Sequence, residues 1–509
     1  MPSNELNLDS QITKFETFTK EQLIQRIDVI EQEMGRLVKE NYSLRGQVVQ
    51  PNQLEFILDD QIASLQDQLY GSKSEKYKKS EKSNEPKGPS KPRVQKPSER
   101  YPNVPVKINK VTMDPLPQCQ SCGEIMFESG LTEDSQQITV IPKKFEIIET
   151  QRVKYKCNCQ GCLQTAPVIP RIKESSIYSD EMILDVVLSK YCDLIPIGRY
   201  AAMASRTGMI DLPPHSLIEL THHYAEFVYE VYLRLQDETL NNRVLRADET
   251  PHRMLEGDDK KSWYLWGFST DRVCFFECHN TRSGDVASYI LENSKCEILV
   301  SDVYSGYSKA IRVANAIRIK NKEPIIKSAN CNAHARRYFF KYWNLHKESE
   351  DAQFYLDQYH EIYKINDDSK GKSPPEILKL REIMKPHFEA MKVKALKDIN
   401  KYPLNNKLSK GMWYYLDNYD NLIRFLADPE IPIDNNSQES LFRSYVVGRK
   451  TWYGTHSKRG AETASIILTL VETCKLNKVN PREYFKDLTE NLLSGKEPYT
   501  PSEYLNRKN

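Results

Sequence analysis

Apolar residues recur at alternating spacings of four and three through Leu23, Ile27, Ile30, Met34, Leu37, Asn41 and Leu44. This is the seam spacing of a coiled coil, with Asn41 at an a position, where a buried amide trades stability for register and a two-stranded state. Pro51 interrupts the helix, and a second stripe follows at Leu54, Leu58, Ile62, Leu65 and Leu69. The stripes also suit an amphipathic helix packed on its own chain, but the polar a position favours self-association. From Ser72 to Arg100 apolar residues give way to Lys, Ser and Pro, the composition of a disordered basic linker.

Residues 180–238 read as helices broken at Gly208 and at Pro213-Pro214, with Ser216 as the second N-cap. A loose helix-turn-helix and plain helical packing both suit that pattern. From 243 the period changes to that of strands: Arg243–Asp248, Ser262–Ser269 and Arg272–His279, rich in aromatic and β-branched residues. A helix at Ser283–Glu292 and short strands at Glu297–Ser301 and Ile325–Ala329 complete an α/β pattern. Residues 333–430 carry helical stripes without a convincing strand, which reads as an all-helical insertion. Helical signals return at 436–445, 460–477 and 481–494.

Composition narrows the class. Of 509 residues, 39% are hydrophobic and 28% charged, so polar segments surround a core that needs no disulfide staples. No apolar run approaches the ~18 residues of a membrane span, and the start, MPSNELNLDSQ, has no secretory pattern. A cytoplasmic, nucleoid-associated protein is expected. The net charge of +2 hides an asymmetry: residues 1–70 hold six Lys/Arg against twelve Asp/Glu, and residues 71–110 twelve against four. A polyanionic partner is therefore not excluded.

In a reducing compartment, clustered cysteines read as metal ligands. Five of the eleven fall within 119–162: Cys119-Gln-Ser-Cys122-Gly, then Cys157-Asn-Cys159-Gln-Gly-Cys162. Cys119, Cys122, Cys159 and Cys162 form two CxxC knuckles suited to tetrahedral Zn²⁺, with Cys157 as an alternative ligand. The long interval suggests a zinc-ribbon-like module with a hairpin inside it.

Two carboxylates sit at strand ends: Asp248 after VLRA and Asp302 after EILVS. On neighbouring strands they would meet at one sheet edge and repel unless cations sit between them. Mg²⁺ (or Mn²⁺) ions held by hard oxygens would serve, and would clamp the oxygens of a phosphoryl displacement. Strand-end aspartates are also common turn and cap residues. Glu439 is the candidate third acid, although Asn436 and Glu439 are spaced as a capping box and Asp434 is a rival ligand. Downstream, Arg443, Arg449, Lys450, Lys458 and Arg459 interleave with Trp452 and Tyr453, which suits a phosphate backbone with unstacked bases.

These residues resemble the insertion sequence 66 transposases, of the DDE superfamily with RNase H-like catalytic cores. The resemblance is carried by the leucine-rich coil, LYGSKSEK at 69–76, the knuckles, SKYCDLIPIGR at 189–199, RADET at 246–250, SDVYSGY at 301–307, CNAHARR at 331–337 and DNNSQESLFRSYVVGRKTW at 434–452. It implies that Asp248, Asp302 and Glu439 are the catalytic triad, and that His334 and Arg337 of CNAHARR lie beside it and touch DNA or the leaving strand. Arg336 and the Arg443, Arg449, Lys450 and Trp452 set join them as candidate DNA contacts. Ser440 stands where the family has Arg, and Cys157 is additional.

Two other classes suit parts of the sequence. His334-Ala335-Arg336-Arg337 forms H-x-x-R, as in tyrosine recombinases or integrases, for which Tyr445 is a candidate nucleophile. A zinc-containing DNA-binding regulator derived from a transposase is the non-enzymatic alternative. Cys331 and His334 are also potential metal ligands, but only two in number.

The organisation expected is a coiled coil at 1–70, a linker at 71–110, a zinc module at 111–172 and a helical DNA-binding region at 173–240. The RNase H-like α/β core then runs over 241–332 and 431–480, around a large all-helical insertion at 333–430, with a C-terminal helix and tail at 481–509. The expected activity is metal-dependent DNA strand cleavage and strand transfer at element ends. The expected partners are terminal inverted repeats, target DNA, a second copy of the chain through the coil, and small accessory proteins, with no membrane.

Overall fold

The computed structural model describes residues 96–508, other than 113, 127, 129–133, 141–142, 157–162 and 256–261. The coiled coil, most of the linker, and Cys157, Cys159 and Cys162 lie outside the described residues. The chain divides into two compact units, 72–150 and the remainder.

In the smaller unit, Gln118 and Ile125 form an antiparallel bridge around Cys119-Gln-Ser-Cys122-Gly123. Gly123 takes φ 78°, and its N–H donates to the Cys119 carbonyl at 2.9 Å. A left-handed residue closes such a tight turn without a Cβ penalty. Both thiols are free, and backbone hydrogen bonds from Ser121 and Cys122 hold the Cys119 thiol below the usual thiol range.

The larger unit opens with a short antiparallel hairpin, β1 (Lys154–Lys156) and β2 (Leu163–Thr165), exposed throughout. Helices α1 (Asp180–Tyr191), α2 (Ile197–Ser205), α3 (Pro214–Phe227) and α4 (Tyr229–Leu240) follow. Helix α3 starts two residues before the expected Ser216 cap. Pro213 is the cap and Pro214 the first helical residue, a position where a missing N–H costs nothing.

The core is a five-stranded sheet in the order β5-β4-β3-β6-β7. Strands β3 (Val244–Arg253), β4 (Ser262–Ser269) and β5 (Cys274–His279) form an antiparallel meander, and β6 (Ile298–Ser301) and β7 (Lys327–Asn330) add in parallel. Helices α5 (Gly284–Glu292) and α6 (Ser305–Asn321) are the crossovers. Four long helices then intervene, α7 (Asn332–Leu345), α8 (Glu350–Asp368), α9 (Pro374–Asp398) and α10 (Lys407–Asp417), followed by single helical turns at Tyr419–Leu422 and Arg424–Ala427. The chain closes with α11 (Asn436–Trp452), α12 (Lys458–Leu476), α13 (Pro481–Leu493) and α14 (Pro501–Lys508).

Alternation along the strands explains the layers. Trp266 faces one side, edge-on to Tyr307 of α6 at 5.9 Å. Gly267 faces the other, where a Cβ would lie 2.5 Å from Gln438 Nε2 and 2.7 Å from Phe442 of α11. That glycine lets α11 lie flat on the sheet. Trp266, Phe268, Phe275 and Phe276 are fully buried, each contributing roughly 1.5–3 kcal/mol.

Both sheet edges are covered. Thr473 Oγ1 and Thr469 Oγ1 of α12 accept from the N–H groups of Cys274 and Phe276 at 3.2 and 2.9 Å, taking up donors an open edge would expose. On the far side, Arg424 Nε donates to the Ser328 carbonyl at 2.7 Å. The 333–430 helices share one apolar cluster with Ile298, Val300 and Ala329 of the sheet. The side-chain amide of Asn332 donates to the Leu422 and Ile433 carbonyls at 2.9 and 3.0 Å. It thereby pins the departure and return of the insertion together. Among the described residues no helix is long and apolar enough to cross a membrane.

Candidate active site

Register brings the two aspartates together, although β3 runs on to Arg253 in its pairing with β4, so that Asp248 lies in mid-strand and only Asp302 follows a strand end. β3 and β6 pair Val244 with Ile298 and Arg246 with Val300. Continuing that register by two residues, just past the end of β6, sets Asp248 level with Asp302, and the two carboxylates act on each other electrostatically. β6 and β7 pair Ser301 with Asn330, and Cys331 N–H still donates to the Ser301 carbonyl at 3.0 Å. Asp248 on β3 is therefore level with Asp302 and Cys331, the residues that follow the last positions of β6 and β7. Asp248 pairs directly with Gly267, so its side chain lies on the α11 side of the sheet.

Glu439 reaches this row from the first turn of α11. Asn435 fixes that turn: its backbone N–H donates to Cys331 Sγ at 3.2 Å and its amide to the Ala247 carbonyl at 2.9 Å. Gln438, fully buried, accepts from the Ser269 hydroxyl. The capping box does not form. Asp434 instead accepts from the Asn436 backbone and side-chain amides at 3.1 and 2.8 Å and from the Tyr363 hydroxyl at 2.9 Å. Asp434 is thus occupied with the turn, and Glu439 is left to face the sheet.

The electrostatics follow from this crowding. Burial, then the adjacent Glu249, then Asp302 and Glu439 push the Asp248 carboxyl up to about 8, against one backbone hydrogen bond from Glu249. Glu249 points to the opposite face. Its carboxylate pairs with Arg282 at 2.6 Å and accepts from the Tyr307 hydroxyl at 2.5 Å. Arg282 lies 4.2 Å over the Tyr304 ring, and Tyr304 N–H donates to Asp302 Oδ1 at 3.1 Å. This network ties the β6 exit to β3. Sequence reasoning missed it, although Glu249 stands next to Asp248 in RADET.

Helix α7 supplies the remaining groups. His334 Nδ1 lies 3.7 Å from Glu439 Oε1, and Arg337 Nη2 3.8 Å from Glu439 Oε2. His334 Nδ1 and Glu439 Oε1 are buried atoms with no hydrogen-bond partner. The ligand atoms of Cys331, His334 and Glu439 all lie within 4.8 Å of one another, a group that leaves out Asp248 and Asp302.

The other sequence candidates are spread more widely. Arg336 packs over Phe340 at 5.6 Å. Arg443 and Lys450 are exposed on α11, and Arg449 donates to Thr250 Oγ1 at 3.3 Å. Trp452 is half-buried, edge-on to Tyr191 at 6.2 Å, and it covers Gly448, where a Cβ would approach it to 2.2 Å. Arg459 is paired with Glu219 and Glu226 of α3 at 3.0 and 2.8 Å. Tyr445 is 1% exposed and hydrogen-bonded to His252 Nδ1.

The sequence matches the Transposase IS66 family over residues 175–463, more than half of the chain and all of the sheet. Among curated proteins it is 26% identical over 407 residues to "Uncharacterized protein y4hP" of Sinorhizobium fredii (strain NBRC 101917 / NGR234), covering 75% of this chain and 72% of that one. It is 25% identical over 380 residues to "Uncharacterized protein y4qI" of the same strain, covering 71% and 68%. By its match across the sheet, the insertion neck and the helix bearing Glu439, the chain belongs to the IS66 family of transposases.

Proposed function

We propose that the chain cuts and joins DNA strands at the ends of an insertion element, with Asp248, Asp302 and Glu439 as the catalytic carboxylates of a DDE-type, RNase H-like core. The observation that carries this reading is that Asp302 and Glu439 both act electrostatically on Asp248: the β3–β6 register, continued past β6, sets Asp302 level with Asp248, and Glu439 comes from a helix seated against Gly267. The strand order, a three-stranded meander extended by two parallel strands, supports the RNase H-like assignment.

The residues fit hard divalent cations. Asp248 is buried among like charges and Glu439 Oε1 is buried without a hydrogen-bond partner, a combination that a cation relieves. Asp248, Asp302 and Glu439 would hold Mg²⁺ or Mn²⁺, which supplies positive charge to the attacking and leaving oxygens. Arg337 lies on the Oε2 side of Glu439, where its guanidinium holds the carboxylate and faces DNA phosphate. Arg443 and Lys450, exposed on α11, extend that basic side. Water is the nucleophile in cleavage and a 3′-hydroxyl in joining. In each step the new P–O bond forms as the old one breaks.

The tyrosine recombinase alternative requires an accessible hydroxyl, and Tyr445 is buried against His252. Structural Zn²⁺ at Cys119, Cys122, Cys159 and Cys162, and dimerisation through residues 1–70, belong to the same reading. The test is cleavage of DNA bearing the element's own ends. Asp248→Asn, Asp302→Asn and Glu439→Gln should each bind DNA and fail to cut it, a loss of at least about a hundredfold. Cutting at wild-type rates by these variants would overturn the assignment. A covalent protein–DNA adduct lost in Tyr445→Phe would install the recombinase reading. DNA binding without any cleavage by the wild type would favour a regulator.

A further inference from the structure

We propose that Cys331, His334 and Glu439 form a further metal site, for a borderline-soft ion of the Zn²⁺ class, that competes for Glu439 and switches off strand cleavage when filled. The inhibitory half rests on the function proposed above; the binding half rests on geometry alone.

The three ligand atoms are preassembled. They lie within 4.8 Å of one another, and His334 Nδ1 and Glu439 Oε1 are 3.7 Å apart. Bonds of 2.0–2.3 Å in a tetrahedral zinc site put ligand atoms about 3.5 Å apart, so the group needs only a small contraction. His334 Nδ1 and Glu439 Oε1 are also the atoms left buried without a hydrogen bond. A buried polar atom without a partner is costly, and one cation between them satisfies both.

The positions are rigid. Cys331 caps α7 and His334 lies in its first turn, one helical turn later on the same side. Glu439 lies in the first turn of α11. Asn435 joins the two helices by donating its N–H to Cys331 Sγ at 3.2 Å. Outer contacts of this kind hold a ligand in place before the ion arrives.

The donor set selects the ion. Thiolate and imidazole favour Zn²⁺ and its neighbours, whereas Mg²⁺ demands oxygen. The Cys331 thiol releases its proton to solvent on binding, and thiolate plus carboxylate then neutralise the dication. Arg337 opposes a cation here, but it faces Oε2 and leaves Oε1 to the site. Three protein ligands leave the fourth position open, the pattern of a site that exchanges its ligand rather than staples a fold. With Oε1 committed to this ion, Glu439 is withdrawn from Asp248 and Asp302.

The experiment uses the full-length chain in excess Mg²⁺, titrated with Zn²⁺ and followed by calorimetry and by metal analysis after dialysis. The wild type should take up one more equivalent than Cys331→Ser, in which the hydroxyl still accepts from Asn435 but replaces the thiolate poorly. His334→Ala should lose the same equivalent, and Asp248→Asn should keep it. Micromolar Zn²⁺ should slow Mg²⁺-dependent cleavage by the wild type by at least about tenfold. Whatever the rate of Cys331→Ser in Mg²⁺ alone, added Zn²⁺ should not lower it. Equal zinc uptake by wild type, Cys331→Ser and His334→Ala, with thermal melts verifying that each is folded, overturns the site. Uptake without slowed cleavage overturns the switch. If the wild type never cleaves DNA, the function proposed above fails, and the difference in zinc uptake still decides the site.

Discussion

Burial and neighbouring carboxylates push the Asp248 carboxyl up to about 8, and that has a consequence for stability. An unfolded aspartate titrates near ~3.9. Between that value and about 8 the native, metal-free protein holds the proton that the unfolded chain has lost, so the contribution of Asp248 to stability is present in acid and falls as pH rises through this window. Asp248→Asn should therefore melt at a higher temperature than metal-free wild type at pH 9, with the advantage shrinking toward pH 4. Parallel melting curves across that range would refute the burial of this charge. His252 works the opposite way. Burial, with Arg449 nearby, pushes it down to about 4, and its ring is held between Tyr445 Oη and Thr455 Oγ1. Its contribution is lost as pH falls from about 6.5 to about 4. In His252→Gln the difference between melting temperatures at pH 7 and pH 4.5 should narrow; an undiminished difference would place that acid sensitivity elsewhere.

At the level of elements, the decisive contact is between α11 and β4. A Cβ at Gly267 would meet Gln438 and Phe442 at 2.5 and 2.7 Å. The side chains beneath α11 are packed, so Gly267→Ala should destabilise the protein by about 1–3 kcal/mol. It should also lower cleavage more than DNA affinity, because Glu439 rides on the displaced helix. Denaturant titration and cleavage assays on one preparation separate the two effects. Wild-type cleavage in a destabilised Gly267→Ala would mean that the seat of α11 does not set the position of Glu439. The capping-box spacing of Asn436 and Glu439 illustrates why local pattern fell short here: the cap is satisfied by Asp434, which Tyr363 of the insertion also holds. Tyr363, 71 residues before Asp434, thus helps to hold that acid in the turn, while Glu439 sits beside His334 and Arg337.

For the whole molecule, the insertion is closed at its neck by Asn332 and roofed onto the β6–β7 edge, so its helices and the site share one foundation. The N-terminal expectations act at this scale as well. Removing residues 20–46 should lower the solution mass measured by light scattering if the Leu23–Leu44 seam joins two chains; an unchanged mass would mean that the seam packs internally. Metal analysis of the full chain should find about one tightly held Zn²⁺ for the four-thiolate set. The turn around Cys119 and Cys122 is already closed by Gly123. Cys119→Ser without loss of that zinc would remove these residues as ligands.

Local periodicity determined much on its own. The strands at Ser262–Ser269 and Ile298–Ser301, the helix at Gly284–Glu292 and the wholly helical 333–430 follow directly from their apolar spacing, because alternation and 3.6-residue repeats are properties of neighbouring residues. Asp248, Asp302 and Glu439 were nameable from strand ends, an acid in an amide-rich turn and a family resemblance. Tertiary structure alone decided what surrounds them. The register that aligns Asp248, Asp302 and Cys331 depends on pairing between strands far apart in sequence. The Glu249–Arg282–Tyr304 network, the glycine under α11 and the meeting of Cys331 and His334 with Glu439 are likewise long-range. No periodicity encodes such contacts, since they arise only when separate elements bury their faces against one another.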